Sequence, residues 1–307
     1  MKADYLNEPY LVFGKGRSIC PRDGITGLNV YDAVQAARKD QLLIGIVGIE
    51  EDIDNMRQWL KRFEAFIPAN PKGKQKGLFL SFPGFNQDQG FCAKFIYDTN
   101  FERFLSPNDI DKIFENEGHE EQVMEAVRLF SENIQFLSDI KNCDVVICIV
   151  PKAFEGNLVK EKDDEAVEES AEDDEQPELE INFRRALKAK AMQCNTPIQL
   201  IREYVLHDNA KSQDAATKAW NLCTALYYKG LQTIPWKLEV DENRPKVCFV
   251  GIGFYRSRDK ETIQTSIAQI FNENGKGVIL RGSPVKEDKD DRKPHLEFDQ
   301  AKNLLKS

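Results

Sequence analysis

Apolar residues in this chain form two kinds of segment, continuous runs and helical stripes, and the two alternate. Leu42–Ile49 (LLIGIVGI) and Asp144–Val150 (DVVICIV) are runs bounded by polar residues, the pattern of strands buried on both faces of a parallel sheet. Leu78–Phe82 and Pro197–Val205 read as further strands, the first broken by Pro83-Gly84-Phe85. Between them, Glu50–Phe66 places Ile53, Met56, Leu60 and Phe63 on one helical stripe. Asn108–Phe114, just after Pro107, predicts a short helix and Glu120–Ile140 a long one. A basic helix follows Ile181, and Gln213–Lys229 predicts another, with Gly230 as its stop and Pro235 confirming the break. Strands alternating with helices predict an α/β fold with a doubly wound sheet.

The two ends of the chain read differently. Tyr10–Phe13 predicts a strand, and the segment FGKGRSICPRDGITGL after it a glycine-rich loop. After Trp236 the pattern changes domain: Lys246–Ile252 predicts a strand and Lys276–Arg281 its antiparallel neighbour or near neighbour. Thr262–Asn272 between them has mixed, strand-compatible character, and Leu296–Lys306 is helix-like.

Composition bounds the function. A chain of 307 residues can hold two domains and a large core. It has no run of eighteen apolar residues and no signal peptide, which predicts a cytoplasmic protein with no membrane partner. Cys143, Cys148, Cys223 and Cys248 lie in apolar runs, as reduced buried thiols do, and the absence of a Cys-x2-Cys pair argues against zinc. The three histidines are scattered, which argues against histidine-based metal or acid–base chemistry. Net charge is −9, but Glu161–Glu180 alone holds twelve acids and one lysine, a local −11, so the remaining residues sum to +2. An acidic total is therefore weak evidence against nucleic-acid binding. The run around it, 157–180, predicts a disordered, solvated insertion.

The candidate chemistry sits beside that insertion. Arg184 and Lys188 are four residues apart and share a helix face. Gln199 lies near the start of the following strand, and Lys229 in the last turn of the helix after it. An amide and three cations around one helix–strand–helix unit suit an anion with several oxygens, such as a terminal phosphate. On spacing alone, the wet face of ordinary amphipathic helices explains the same residues. A dinucleotide site is disfavoured: Gly14-x-Gly16 does not continue as G-x-G-x-x-G, and Gly45 and Gly48 fall inside a strand.

The ordered set Arg-x3-Lys, Gln in a TPIQLI strand, then Asn221-Leu-x6-Lys-Gly before IPW resembles the MID domain of Argonaute proteins. FG-x-G…GL near the start resembles the opening of short prokaryotic Argonautes, with its charged part reordered here as Cys20-Pro21-Arg22-Asp23. The resemblance implies a Rossmann-like MID domain at 38–236, an arm at 1–37 that packs with PIWI, and a truncated RNase H-like PIWI domain at 237–307. It implies that Arg184, Lys188, Gln199 and Lys229 hold the 5′-phosphate of a short guide strand, RNA favoured over DNA, and it leaves open a Mg²⁺ at the guide 5′ end held by Gln199 together with the guide phosphates. A complementary target strand and an effector protein carrying an APAZ region, of TIR or sirtuin-like type, are the implied partners, in prokaryotic defence.

Slicing relatives carry a catalytic Asp at the end of the first PIWI strand, where this chain has Gly253. Two-metal cleavage needs clustered carboxylates, and Gly253 supplies none. Asp259 reads as part of a hairpin and Glu287–Asp291 as an exposed hairpin tip. The expectation is a non-cleaving, guide-binding sensor. A slicing nuclease with further residues beyond Ser307 and an α/β interaction module without nucleic acid remain the alternatives.

Overall fold

The computed structural model describes residues 8–70, 80–159, 182–207, 213–239, 249–256, 263–271, 277–280, 284–285 and 296–304. The chain divides into two compact units, Met1–Trp236 and Lys237–Ser307.

The first unit is built on a parallel sheet. Its strands are β3 (Gln41–Gly48), β4 (Lys94–Ile96), β5 (Glu102–Phe104), β6 (Val145–Val150) and β7 (Ile198–Arg202), in the order β4-β3-β6-β7. β5 pairs with the second half of β3, on Ile46–Gly48, and β4 with the first half, on Gln41–Leu43. Side-chain alternation divides the core in two. Val145, Ile147 and Ile149 of β6 face one cluster with α2 (Glu50–Phe63) and α6 (Ala215–Gly230). Val146, Cys148 and Val150 face the other, with α3 (Pro107–Phe114), α4 (His119–Asp139) and α5 (Phe183–Ala191). Each such fully buried side chain contributes about 1.5–3 kcal/mol.

The predicted stripe Ile53, Met56, Leu60 and Phe63 is buried as one face of α2. That helix stops at Phe63, and Phe66, expected inside it, is exposed. The described part of Leu78–Phe82 joins no strand: Phe82 makes an isolated antiparallel bridge to Ile67. β4 and β5 take the sheet positions instead, and three residues each is too short for a periodic signal.

Gly230 is the last residue of α6, not a stop beyond it. A Cβ there would lie 2.1 Å from Leu42 Cδ1, so glycine is required by the close approach of helix to sheet. Leu158 and Val159, counted from sequence with the acidic insertion, are core residues; 160–180 lies outside the described residues.

The N-terminal segment was read as a strand and loop but is more ordered. β1 (Leu11–Phe13) and β2 (Gly16–Ser18) form a hairpin, and α1 (Pro21–Leu28) follows with Pro at its first turn. Gly24 lets α1 sit against the Phe13 ring, which a Cβ would meet at 2.1 Å. Phe13, Ile25 and Val30 join the α2/α6 core. A buried polar knot holds it. Tyr227 Oη donates to Asp32 Oδ1; Arg38 donates to Tyr227 Oη (3.1 Å) and to the carbonyl of Cys92 (2.5 Å).

In the second unit the elements are β8 (Lys237–Leu238), β9 (Phe249–Arg256), β10 (Ile263–Phe271), β11 (Gly277–Leu280), β12 (Pro284–Val285) and α7 (Phe298–Leu304). β10 is central, antiparallel to β9, β11 and β12. The mixed segment Thr262–Asn272 is thus the strand that separates the two clearer ones.

Candidate functional site

The site grows from the unit α5–β7–α6. Asn182 caps α5, its side chain accepting from Arg185 N at 3.2 Å. Phe183, Leu187 and Ala191 bury one face of α5, which leaves Arg184 half-buried and Lys188 exposed. β7 is shorter than read from sequence: it ends at Arg202, and Glu203–Leu206 turns as a 3-10 helix. Along it, Ile198 and Leu200 face the α4/α5 core, and Ile201 faces the α2/α6 core, which puts Gln199 on the Ile201 side.

Lys229 reaches Gln199 from the last turn of α6. Its Nζ donates to Gln199 Oε1 (2.8 Å) and to the Ile198 carbonyl (2.9 Å), and Gln199 Nε2 donates to the Leu200 carbonyl (3.0 Å). Burial lowers the Lys229 pKa, and the charges of Lys188 and Arg184 lower it further. The four residues singled out from sequence therefore act on one another, two through hydrogen bonds and the others through charge.

A cavity of about 240 Å³ opens at the carboxyl ends of β6 and β7. Its polar lining includes Arg184, Gln199, Arg202, Gln213, Lys218 and Asn221. Lys188 and Lys229 are not among its lining residues. Arg202 and Lys218 are additions that sequence reading missed. Arg202 is 8% exposed and pairs with Glu155 (Nη1 to Oε2, 3.3 Å). Lys218 is 6% exposed, donates to the Val205 carbonyl (3.1 Å) and lies 4.8 Å from the Trp59 ring centroid. Their signals were present: Arg202 ends a parallel strand, where α/β sheets bind ligands, and Lys218 is a lone charge in the helical stretch AATKAW. Asn221 lines the cavity and donates to Gln213 Oε1 at 3.2 Å.

This arrangement can bind an oxyanion. Arginine presents a fork of donors, lysine a point charge, and partial burial strengthens both. The described lining holds no His, Cys or carboxylate. Gln199 Oε1 accepts from Lys229, and no group of three or more His, Cys, Asp or Glu among the described residues could hold a metal ion by itself.

On α2, Asp52 is a buried carboxylate whose Oδ2 has no hydrogen-bond partner. Burial, then the charges of Glu203 and Glu51, push its pKa to about 6, against a smaller opposing effect of His207.

Gly253 lies inside β9 opposite Ile267, not at the strand end; β9 runs on to Arg256. Asp259, Glu287–Asp291 and Cys248 lie outside the described residues. Among the described residues no helix is long and apolar enough to cross a membrane.

No protein-family model matches this chain, and no curated protein matches it. Solved structures similar to it include Drosophila Piwi, at 10% identity and TM-score 0.47, over 91% of this chain and 30% of that one. The Argonaute of Methanocaldococcus jannaschii in complex with guide DNA is similar at 13% identity and TM-score 0.43, over 98% of this chain and 34% of that one. The Argonaute of Marinitoga piezophila in complex with 5′-OH guide RNA and target DNA is similar at 13% identity and TM-score 0.44, over 92% and 34%. The chain spans about a third of the length of each.

Proposed function

We propose that this chain is a guide-binding module of the short prokaryotic Argonaute type, which holds the 5′-terminal phosphate of a short nucleic-acid strand and does not cleave the paired target. The observation that carries the reading is the convergence of Arg184, Gln199, Arg202 and Lys218 on one cavity, with Lys229 bonded to Gln199 behind it. A terminal phosphate carries a charge of about −1.5 to −2 at neutral pH and three acceptor oxygens, which matches several converging donors better than a carboxylate does. Guide and target strands belong to this proposal, as does an effector partner with an APAZ region that responds when both strands are present. The non-cleaving part is supported by Gly253, whose position offers no carboxylate for a metal ion.

Oligonucleotides that differ only in a 5′-phosphate or a 5′-hydroxyl test the reading. Wild-type protein binds the phosphorylated strand more tightly, and a charged hydrogen bond from each site cation contributes about 1.5–3 kcal/mol. Equal affinity for the two strands would show that the cations supply only general backbone attraction and leave the interaction-module alternative standing. Incubating the protein and its partner with guide, target and Mg²⁺ or Mn²⁺ tests the second part. A single metal-dependent cut within the paired target restores the slicing nuclease.

A further inference from the structure

Among the cations that line the cavity, Arg202 is paired with an acid of the same chain, Glu155. We propose that Glu155 is the counter-ion of the empty site and that a bound terminal phosphate replaces it at Arg202; the proposal rests on the phosphate reading above. The sequence after β6 places that acid. The strand ends at Val150, Pro151 follows, and Lys152–Phe154 form a 3-10 turn. Phe154 is fully buried against the rings of Phe114, Phe130 and Phe183. Leu158 and Val159 are buried as well, so Glu155 stands between two anchors. Gly156, at φ +78°, turns the chain there, and its N–H donates to the Val159 carbonyl (2.9 Å). Val150 and Arg202 are register partners at the ends of β6 and β7. The pinned loop thus brings a carboxylate to the cation that ends the neighbouring strand. Glu203, next to Arg202 in sequence, bonds His207 (2.6 Å).

Burial, distance and charge make this acid a competitor rather than a brace. The Arg202 side chain is 9% exposed and that of Glu155 24%, so the guanidinium is the inner partner and the carboxylate the one nearer solvent. Packing holds the arginine, and the acid can turn away into water. At 3.3 Å, Glu155 Oε2 to Arg202 Nη1 is longer than the roughly 2.7–2.9 Å of a strong charge-assisted bond. A buried arginine is costly without an anion beside it, and in the empty cavity Glu155 supplies one. A terminal phosphate supplies a better one, with a charge of about −1.5 to −2 and three acceptor oxygens against the single charge of a carboxylate. The same ion pair that stabilises the empty site therefore subtracts from the affinity for the ligand.

Two strands titrated against four proteins test this. A 5′-phosphorylated strand and its 5′-hydroxyl counterpart are bound to wild type, Glu155→Gln, Arg202→Met and the double variant, with circular dichroism as the check on folding. Glu155→Gln tightens the phosphorylated strand about fivefold, the worth of one partly exposed ion pair, and changes the hydroxyl strand less than about twofold. In the Arg202→Met background the same change leaves affinity unaltered, because the acid acts through that arginine. Stability moves the other way: the empty Glu155→Gln protein melts below wild type, and saturating phosphorylated strand narrows the gap. Glu155→Asp, whose carboxylate is one methylene shorter, shows the same signs at smaller size and decides the matter if the Gln variant does not fold. Unchanged or weaker binding in the Glu155 variants overturns the proposal and makes the acid a brace that aims Arg202. An equal gain on both strands overturns it as a general loss of negative charge, and so does a gain that persists without Arg202. In each of those cases wild type still prefers the phosphorylated strand; if it shows no preference, the phosphate reading fails and this proposal with it.

Discussion

Two places in the first unit hold partly buried cations, and the charges beside them shift their pKa values in opposite directions. In the knot at the N-terminal segment, Arg38 faces its own acid. Burial works against its charge, but Tyr227 and Asp32 outweigh it and hold the Arg38 pKa above the ordinary value. In the oxyanion site the largest effect on Lys229 is again burial, but its charged neighbours are Lys188 and Arg184, and its pKa falls. The first cluster is complete within the chain and ties segments 195 residues apart in sequence, Asp32 to Tyr227. In the second, the cations beside Lys229 repel its charge, while Arg202 at the cavity pairs with Glu155.

The largest effect should come from breaking the compensated cluster. Asp32→Ala removes the acceptor of buried Tyr227 and the counter-charge of Arg38 and should destabilise the fold by about 3–5 kcal/mol, read by urea denaturation. A loss below 1 kcal/mol would mean that water replaces the carboxylate and that the knot is no clamp.

In the second cluster the effect should fall on binding instead. Lys218→Met and Arg202→Met should each weaken a 5′-phosphorylated strand by about 1.5–3 kcal/mol and a 5′-hydroxyl strand much less. Titration calorimetry on both strands checks this. Arg202 also pairs with Glu155, so Lys218→Met is the cleaner of the two.

Asp52 extends the comparison to a buried acid. Its folded-state pKa of about 6 lies above the ordinary 3.8. Between those values the folded chain keeps a proton that the unfolded chain releases, so stability falls as pH rises through that window and stays lower above it. Asp52→Asn should therefore stabilise the protein at pH 8 by on the order of 2 kcal/mol, with the gain vanishing below about pH 4. A mutant equally stabilised at both pH values would assign the gain to packing.

The smallest effect is a shift along the pH axis. Phosphate affinity should fall as pH rises through the lowered Lys229 pKa, where Lys229 loses its charge. Lys188→Gln removes one of the two repelling charges, so that fall should move to higher pH, by a fraction of a unit. A fall that moves to lower pH would contradict the coupling.

Sequence by itself determined the parts of this protein that repeat locally. The buried strands β3 and β6, the stripe on α2, and the helices α3, α4, α5 and α6 follow from apolar periodicity, which depends only on residues a few positions apart. Arg184, Gln199 and Lys229 could be singled out because each sits at a definable place on such an element. Tertiary structure alone decided what those elements meet. β4 and β5 are too short to signal themselves and exist because β3 offers them an edge. Gly230 looked like a helix stop and is instead the contact point for Leu42. The N-terminal arm joined the first core because Asp32 and Arg38 meet Tyr227 there, a pairing that no local pattern encodes. Arg202 and Lys218 became site residues for the same reason: a cavity is a property of the ends of several elements brought together, and its lining is written nowhere in any one of them.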